Sequence, residues 1–512
     1  MKGYDVKVLL IHPPWLRFFG SCLASPPVAL NYIAASVAAN MPEVEIDVYN
    51  ADYADGLVPP MANDLFTAGH EEYHRRLHDE NDPVWGEIRK VIAENKPDVI
   101  GVSSMTATFT SAQKIIKIAR EVCPACKTVL GGRHPTALPE LSLKTTGADF
   151  VVIGDGEETF CELLSFLNEP EKVDGIAYVN SRGETVFTPP RVRKIAIDDY
   201  AMPIFESGIS RYGFEDRSKS DYFTWSVLSA RGCPFQCVYC ATEHQVRFRS
   251  VENVMAEIRK VKNDYGITHF CFEDDTFSLK LDRMREICRE LKAEKVKWTC
   301  VTRVDTLDDS IVEMMKDCGC TQVYLGIETG SAKTMARIRK NINIEQVQRA
   351  LELFKKYDLP AMGFFIIGFH WEKFEDMKAT IELIKKLPLD SFQLNIATPL
   401  PGTALFEELE ESGKLLPEKV DWSQFHQGSL KMNFSDYPQE KWEKMLLFFQ
   451  AKAFSILKKK YLRLMLRRFR NEPGIILKKA FDRIRSNPAL LKWFFSGKKE
   501  LKIPDKERNL HG

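Results

Sequence analysis

Arg231-Gly-Cys-Pro-Phe-Gln-Cys-Val-Tyr-Cys240 is the stretch from which the rest of this chain is read. Its three cysteines, Cys233, Cys237 and Cys240, have the spacing C-x3-C-x2-C. Three thiolates on one short loop can hold three irons of a [4Fe–4S] cluster and leave the fourth iron open to another ligand. Electron-transfer clusters use four cysteines, so a set of three points to chemistry at an open metal site. A zinc site with His244 as fourth ligand is the alternative these residues allow.

Working outward, residues 221–405 alternate short apolar runs with helical patterns. Strands are expected at Trp225–Ser229, His269–Phe272, Lys297–Cys300, Gln322–Gly326, Met362–Ile367 and Phe392–Ala397. Helical periodicity fills each gap, so six βα units predict an incomplete TIM-like barrel with its chemistry at the C-terminal strand ends. The cysteine loop follows the first of these strands.

Residues 1–170 carry a second βα alternation. Strands are expected at Val6–Ile11, Val44–Tyr49, Val99–Ser103, Thr128–Leu130 and Phe150–Ile153. This pattern predicts a Rossmann-like, doubly wound parallel sheet that takes ligands beyond the strand ends. Residues 171–220 read as a connector with a hairpin around Ser181-Arg-Gly183. Residues 406–512 read as a helical, basic C-terminal region.

Bulk properties fit a soluble globular protein of 512 residues with 28% charged residues. No signal peptide and no apolar run long enough for a membrane span is evident. Twelve cysteines without an export signal imply a reducing, cytoplasmic setting. Net charge is zero but uneven: residues 451–512 hold 18 Lys and Arg against 5 Asp and Glu. Phe454, Leu457, Tyr461, Leu464 and Met465 fall on one helical face there, opposite Lys459, Lys460, Arg463, Arg467 and Arg470. Such a face suits an anionic membrane surface, which would place the protein peripherally at the inner face of the membrane and suit a lipid substrate. Calmodulin-like or nucleic-acid partners, or a helix packed on the barrel, fit the same pattern, and nucleic acid is not the expected partner.

Residues 231–240 resemble the cluster loop of radical S-adenosylmethionine (SAM) enzymes. With a doubly wound domain before it, the chain resembles their cobalamin-binding subfamily, over roughly residues 5–410. Gly131-Gly-Arg-His-Pro-Thr136, Val152-Ile-Gly-Asp-Gly-Glu157, Phe272-Glu-Asp-Asp-Thr-Phe277, Gly326-Ile-Glu-Thr-Gly330 and Pro399-Leu-Pro-Gly-Thr403 support it. The resemblance implies that Cys233, Cys237 and Cys240 ligate the cluster. It implies that SAM is cleaved reductively to methionine and a 5′-deoxyadenosyl radical, and that methylcobalamin supplies a methyl group to an unactivated carbon of a small-molecule or lipid substrate. SAM would meet Glu273, Asp274, Asp275, Arg303 and Glu328; helix capping is the plainer reading of each. Cobalamin would meet Ser103, Thr106, Gly131 and Gly132. An electron donor such as a flavodoxin or ferredoxin is implied too. The D-x-H-x-x-G motif is absent, so cobalt is expected without a histidine ligand; His12 or Trp15 could face it or simply pack.

One departure stands out. Where the family commonly has Gly-Leu-Pro-Gly-Glu-Thr, this chain has Gly368-Phe-His-Trp-Glu-Lys373, and His370 and Trp371 could shape a pocket or pack. His70, His74 and His78 share one helical face and could bind a metal, or belong to a solvated helix. Cys123-Pro-Ala-Cys126 could be a redox pair; it and the remaining cysteines are expected in the core. A non-methylating cyclase or rearrangement enzyme is the second functional reading. The third is a cobalamin- or nucleic-acid-binding module with a structural or sensory cluster.

Overall fold

The structure is a computed structural model that describes residues 6–23, 25–57, 70–207, 224–471 and 474. It divides into two compact units. Of the described residues, the first takes in those within 6–55, 71–207 and 415–426; the second takes in those within 56–70, 224–414 and 427–474.

In the first unit, strands β1 (Lys7–His12), β2 (Glu45–Asn50), β3 (Val99–Ser103), β4 (Lys127–Gly131) and β5 (Phe150–Val152) pair in parallel in the order 2-1-3-4-5. Side chains alternate across this sheet. Leu9, Ile11, Ile100, Val102, Leu130 and Val151 enter one core, and Val8, Leu10, Val99, Val129, Phe150 and Val152 enter the other. Burial on both faces explains why these strands read as unbroken apolar runs rather than alternating ones. The hairpin of the expected connector forms β6 (Ile176–Val179) and β7 (Thr185–Phe187), which extend the sheet as antiparallel edge strands. The strand order reverses between β1 and β3, and a crevice opens at such a switch point beyond the carboxyl ends of the strands.

In the second unit, β8 (Trp225–Val227) leads to a short antiparallel pair, β9 (Ala230–Arg231) and β10 (Arg247–Phe248). Strands β11 (His269–Phe272), β12 (Lys297–Thr302), β13 (Cys320–Glu328), β14 (Ala361–Ile367) and β15 (Ser391–Ile396) complete a six-stranded parallel sheet with β8 at one edge and β15 at the other. This is the open barrel expected from six βα units. Three of its helices start on side-chain caps of this kind: Ser250 accepts from Asn253 N, Asp308 from Ile311 N, and Asn343 from Gln346 N.

The region expected as 406–512 divides between the units. Residues 415–426 fold with the first sheet, whereas the helix Gln439–Asn471 belongs to the second unit. On that helix Leu457 is buried and Phe454 is half-buried, and Lys460 Nζ donates to the carbonyls of Leu387 at 2.7 Å and Leu389 at 3.2 Å. Lys460 therefore packs on the barrel, whereas Lys459 is exposed. Residues 475–512, with most of the basic tail, lie outside the described residues. Among the described residues, no helix is long and apolar enough to cross a membrane.

Candidate active site

The loop that bears the three cysteines is closed at its neck. Arg231 pairs with Arg247 across β9 and β10, and Cys233 N donates to Glu243 O at 2.7 Å. Gly232 sits at φ +94°, where a Cβ would stand 2.3 Å from Gln245 O, so this neck admits only glycine. All three thiols are free; Cys233 and Cys237 are half-buried and Cys240 is exposed.

Each sulfur meets a different part of the barrel mouth. Cys233 Sγ lies 3.7 Å from Thr276 Oγ1. Cys240 Sγ donates to Thr242 Oγ1 at 3.2 Å, and Thr242 donates to Asp275 at 3.0 Å. Cys237 stands beside the Tyr239 hydroxyl, Lys340 and Glu328; burial raises its thiol pKa, against the pull of Lys340 and Tyr239. A zinc ion would draw four ligands to within about 4 Å of one another. Among the described residues, which include His244, no three Cys, His, Asp or Glu side chains gather in that way.

The expected SAM-facing residues divide by what they already hold. Asp274 is turned inward: it accepts from Ser229 N at 2.7 Å, Ser229 Oγ at 2.5 Å and Ala230 N at 3.0 Å. Burial lifts its pKa to about 6, opposed by those hydrogen bonds and by Arg283. Its geometry fixes the turn that launches the cysteine loop. Glu273 and Asp275 are exposed and accept from Ser226 at 3.1 Å and Thr242 at 3.0 Å. Arg303 is buried, pairs with Asp305 at 2.8 Å, and stacks over the Phe235 ring at 3.6 Å. Glu328 closes β13 at φ +69° and pairs with Lys340 at 2.9 Å. Tyr239 and Phe235 lay inside the quoted motif, yet nothing in their spacing marked them as props; Lys340, far along the chain, carried no local signal at all.

His370 and Trp371 pack rather than stand clear. Trp371 stacks on Phe369 at 4.8 Å under the Arg337 guanidinium at 4.0 Å, and His370 Nε2 lies 3.0 Å from Glu408. Glu372, retained from the family pattern, is buried and accepts from Gly368 N at 2.7 Å and Phe369 N at 3.2 Å. Burial pushes its carboxyl up to about 8.

In the first unit the ends of β3 and β4 form a shelf. A Cβ on Gly131 would meet nothing within 4 Å, so open space lies beyond that strand. Gly132, at φ +102°, presses against Ser104, whose carbonyl oxygen a Cβ would meet at 2.5 Å. Ser103 is half-exposed and Met105 is 61% exposed, an unusual position for a large apolar side chain. Thr106 Oγ1 lies 3.3 Å from His134 Nδ1, and the His134 ring stacks on Phe109 at 3.9 Å. Trp422, from the returning segment, meets His134 edge-on at 4.6 Å. Burial lowers His134 to about 3 and His12 to about 4, so both imidazoles are neutral at physiological pH. Small residues, open space and an exposed apolar side chain fit a broad flat ligand with a polar tail. Met105 and Trp422 were not anticipated: one is a lone methionine in a loop, the other lies in a segment distant in sequence.

His74 is half-buried, with its ring 5.9 Å from that of His426 and 6.4 Å from that of His78. It is therefore packed between the helix and the returning segment. Cys126 is buried next to Cys123, and burial raises its thiol to about 12, which leaves it unreactive.

The chain thus carries an open βα barrel with a three-cysteine loop and a doubly wound sheet with open space beyond β4. Residues 227–384 match the model of the radical SAM superfamily, and residues 61–164 match that of the B12 binding domain. An uncharacterized methyltransferase of Pyrococcus horikoshii is 32% identical over 86% of this chain and 91% of its own length. Cytidylyl-2-hydroxyethylphosphonate methyltransferase of Streptomyces wedmorensis is 27% identical over 81% of this chain and 83% of its own. Anaerobic magnesium-protoporphyrin IX monomethyl ester cyclase of Rubrivivax gelatinosus is 27% identical over 79% and 70%. The fold is shared with the radical SAM methyltransferase TsrM from Kitasatospora setae, at a TM-score of 0.62, 17% identity, and coverage of 87% of this chain and 82% of that one. The chain belongs to the family of cobalamin-binding radical SAM enzymes. It is an enzyme of the cobalamin-dependent methyltransferase type, and its cofactors are a [4Fe–4S] cluster, SAM and cobalamin.

Proposed function

We propose that the chain methylates an unactivated carbon of a small-molecule or lipid substrate, with Cys233, Cys237 and Cys240 as the cluster ligands. The neck-closed loop with three free thiols is the observation that carries this assignment. When bound, the cluster and SAM supply hydrogen abstraction and cobalamin supplies the methyl group. The chain's own residues bind, orient and shield. Thr276 and Thr242 set the flanking sulfurs, and Tyr239 sets the central one. Asp274 fixes the turn before the loop. Glu273 and Asp275 are the exposed carboxylates open to an ammonium or ribose hydroxyls of SAM; Glu328 and Arg303 would reach SAM by exchanging their present partners, Lys340 and Asp305. Ser103, Thr106, Gly131 and Gly132 form the seat for cobalamin, and the neutral, buried His134 braces it.

The test is anaerobic reconstitution followed by mass analysis of SAM products and of candidate substrate extracts. Methionine and 5′-deoxyadenosine from one SAM, S-adenosylhomocysteine from a second, and a product heavier by one methylene support the reading; 5′-deoxyadenosine with no methylated product overturns it. Cys237→Ala should lose iron and SAM cleavage together. Cyclisation is the second reading, favoured by the similarity to the Rubrivivax cyclase, and would give a product with fewer hydrogens. A flavodoxin- or ferredoxin-type donor delivers the electron in either reading. The 18 Lys and Arg of residues 451–512 support peripheral contact with anionic lipid, which flotation with phosphatidylserine vesicles at low and high salt would test.

A further inference from the structure

Asn31 is 1% exposed, and neither its amide oxygen nor its amide nitrogen has a hydrogen-bond partner among the described residues. Its own backbone is satisfied, since Asn31 N donates to Pro27 O at 3.0 Å. A buried amide left in this way costs stability, and an apolar side chain would avoid that cost. Asn40, on the same helix, shows the usual solution: its Nδ2 donates back to Ser36 O at 2.7 Å. Asn31 instead holds donors and an acceptor that no described residue uses.

Position limits what this amide can meet. The helix Val28–Asn40 follows β1, and β1 flanks the switch point of the first unit's sheet. A helix that follows a parallel strand starts at the carboxyl edge of the sheet, where such folds take ligands. The helix Gly156–Ser165 follows β5 and starts at the same edge, and a Cβ on Gly156 would touch Ile33 Cδ1 at 3.2 Å. Ile33 is thus level with the start of that second helix. Asn31 lies about 3 Å nearer the edge, from a helical rise of about 1.5 Å per residue. Leu30, Ala34 and Val37 join the sheet core with Val8, Leu10 and Val99. Asn31 stands about 100° round the helix from Leu30, on the flank of that stripe, with Ala35 one turn further along. Glycines keep neighbouring strand ends clear: a Cβ on Gly131 meets nothing within 4 Å, and one on Gly154 meets only the end of Arg193, at 3.9 Å.

We propose that Asn31 binds a primary amide on the rim of the corrin ring through a reciprocal pair of hydrogen bonds. The inference rests on the cobalamin seat proposed for Ser103, Thr106, Gly131 and Gly132, and extends it to the helix after β1. The corrin ring is edged with acetamide and propionamide groups. Each offers a carbonyl and an NH2, the same set that Asn31 leaves unused, so the two amides satisfy each other. A phosphate would leave the Asn31 oxygen unpaired, and the apolar face of a ring would leave both atoms so.

The experiment uses the full chain, purified anaerobically and free of cobalamin. Affinity for hydroxocobalamin is read by absorbance titration, and the melting temperature of the cobalamin-free protein is read beside it. Asn31→Ala should bind about tenfold more weakly, the loss expected when a buried amide pair is broken. Its melting temperature without cobalamin should equal or exceed that of wild type, because the orphaned amide is gone and alanine is the better helix former. Dicyanocobinamide, which keeps the corrin amides and lacks the nucleotide, should show the same penalty. Asn31→Leu, which fills the space without a polar group, should repeat the loss and takes the place of the alanine variant if that one does not fold. Affinity within about threefold of wild type overturns the proposal. So does a penalty that vanishes with dicyanocobinamide, which would put the partner on the nucleotide tail. A melting temperature lowered in the cobalamin-free alanine variant also overturns it, since the amide would then serve the fold through bound water. Gly132→Ala separates this inference from the seat beneath it. If that variant binds cobalamin like wild type, the seat itself is overturned; if it binds weakly while Asn31→Ala does not, only the role of Asn31 falls.

Discussion

Glu372→Gln should flatten the alkaline loss of stability of the barrel unit. The Glu372 carboxyl is held at about 8 by burial, against an ordinary value of 4.5. Its Oε2 takes the Gly368 and Phe369 N–H groups, while Oε1 is buried with no hydrogen-bond partner in the structure and has Thr334 beside it. Between pH 4.5 and 8 the folded chain keeps a proton that the unfolded chain has released. Stability from this group is therefore fully present below the lower value and declines as pH rises through the upper one. From pH 6 to 8 the loss comes to roughly 2 kcal/mol, at about 1.4 kcal/mol per pH unit while the proton is held. For a unit of this size that is about 4–8 °C in melting temperature. Glutamine keeps an oxygen for the two N–H groups and offers a permanent donor at the other position. Anaerobic thermal unfolding of the full reconstituted chain at pH 6, 7 and 8 reads the effect. The variant's melting temperature should gain on wild type by about 4–8 °C across that range. Parallel curves would refute the reasoning, because the buried carboxyl would then be ionised throughout or not linked to unfolding.

Asp274→Asn keeps an oxygen for the Ser229 and Ala230 N–H groups, but its NH2 would replace the oxygen that accepts from Ser229 Oγ, a hydroxyl that already accepts from Arg283; the change should cost about 1–3 kcal/mol, and the variant should retain less iron through desalting. Gly132→Ala forces a Cβ against the Ser104 carbonyl at a left-handed position; about 1–3 kcal/mol of strain should appear as cobalamin uptake weaker by about fivefold or more, read by absorbance after gel filtration. Trp422→Ala removes the edge contact with His134 and the packing on Phe425, and should lower the stability of the first unit by about 3 kcal/mol or more, while iron content stays at the wild-type value.

Much of the architecture was legible in the chain because its strands are local apolar runs. Val99–Ser103 and His269–Phe272 fall where expected, and the other expected strands overlap the observed ones with ends displaced by a residue or two, as backbone pairing extends or shortens them. The three cysteines were legible for a related reason: a ligand set carried on one loop is a pattern of spacing. Less of the site's surroundings could be read. Asp274 and Asp275 are neighbours in sequence, yet one is consumed by the turn before the cysteine loop and the other faces outward. No spacing rule separates them, since the difference arises from Ser229, some forty residues upstream.

The sequence by itself determined two βα systems, the open-barrel reading and the three-thiol loop, because periodicity and short spacing are properties of neighbouring residues. Only the tertiary structure decided which side chains brace that loop. It brought Lys340 and Glu328 to Cys237, folded Trp422 onto His134, and assigned residues 415–426 to the first unit. These are contacts between residues far apart in the chain, chosen by packing and charge compensation in three dimensions, and no local pattern encodes them.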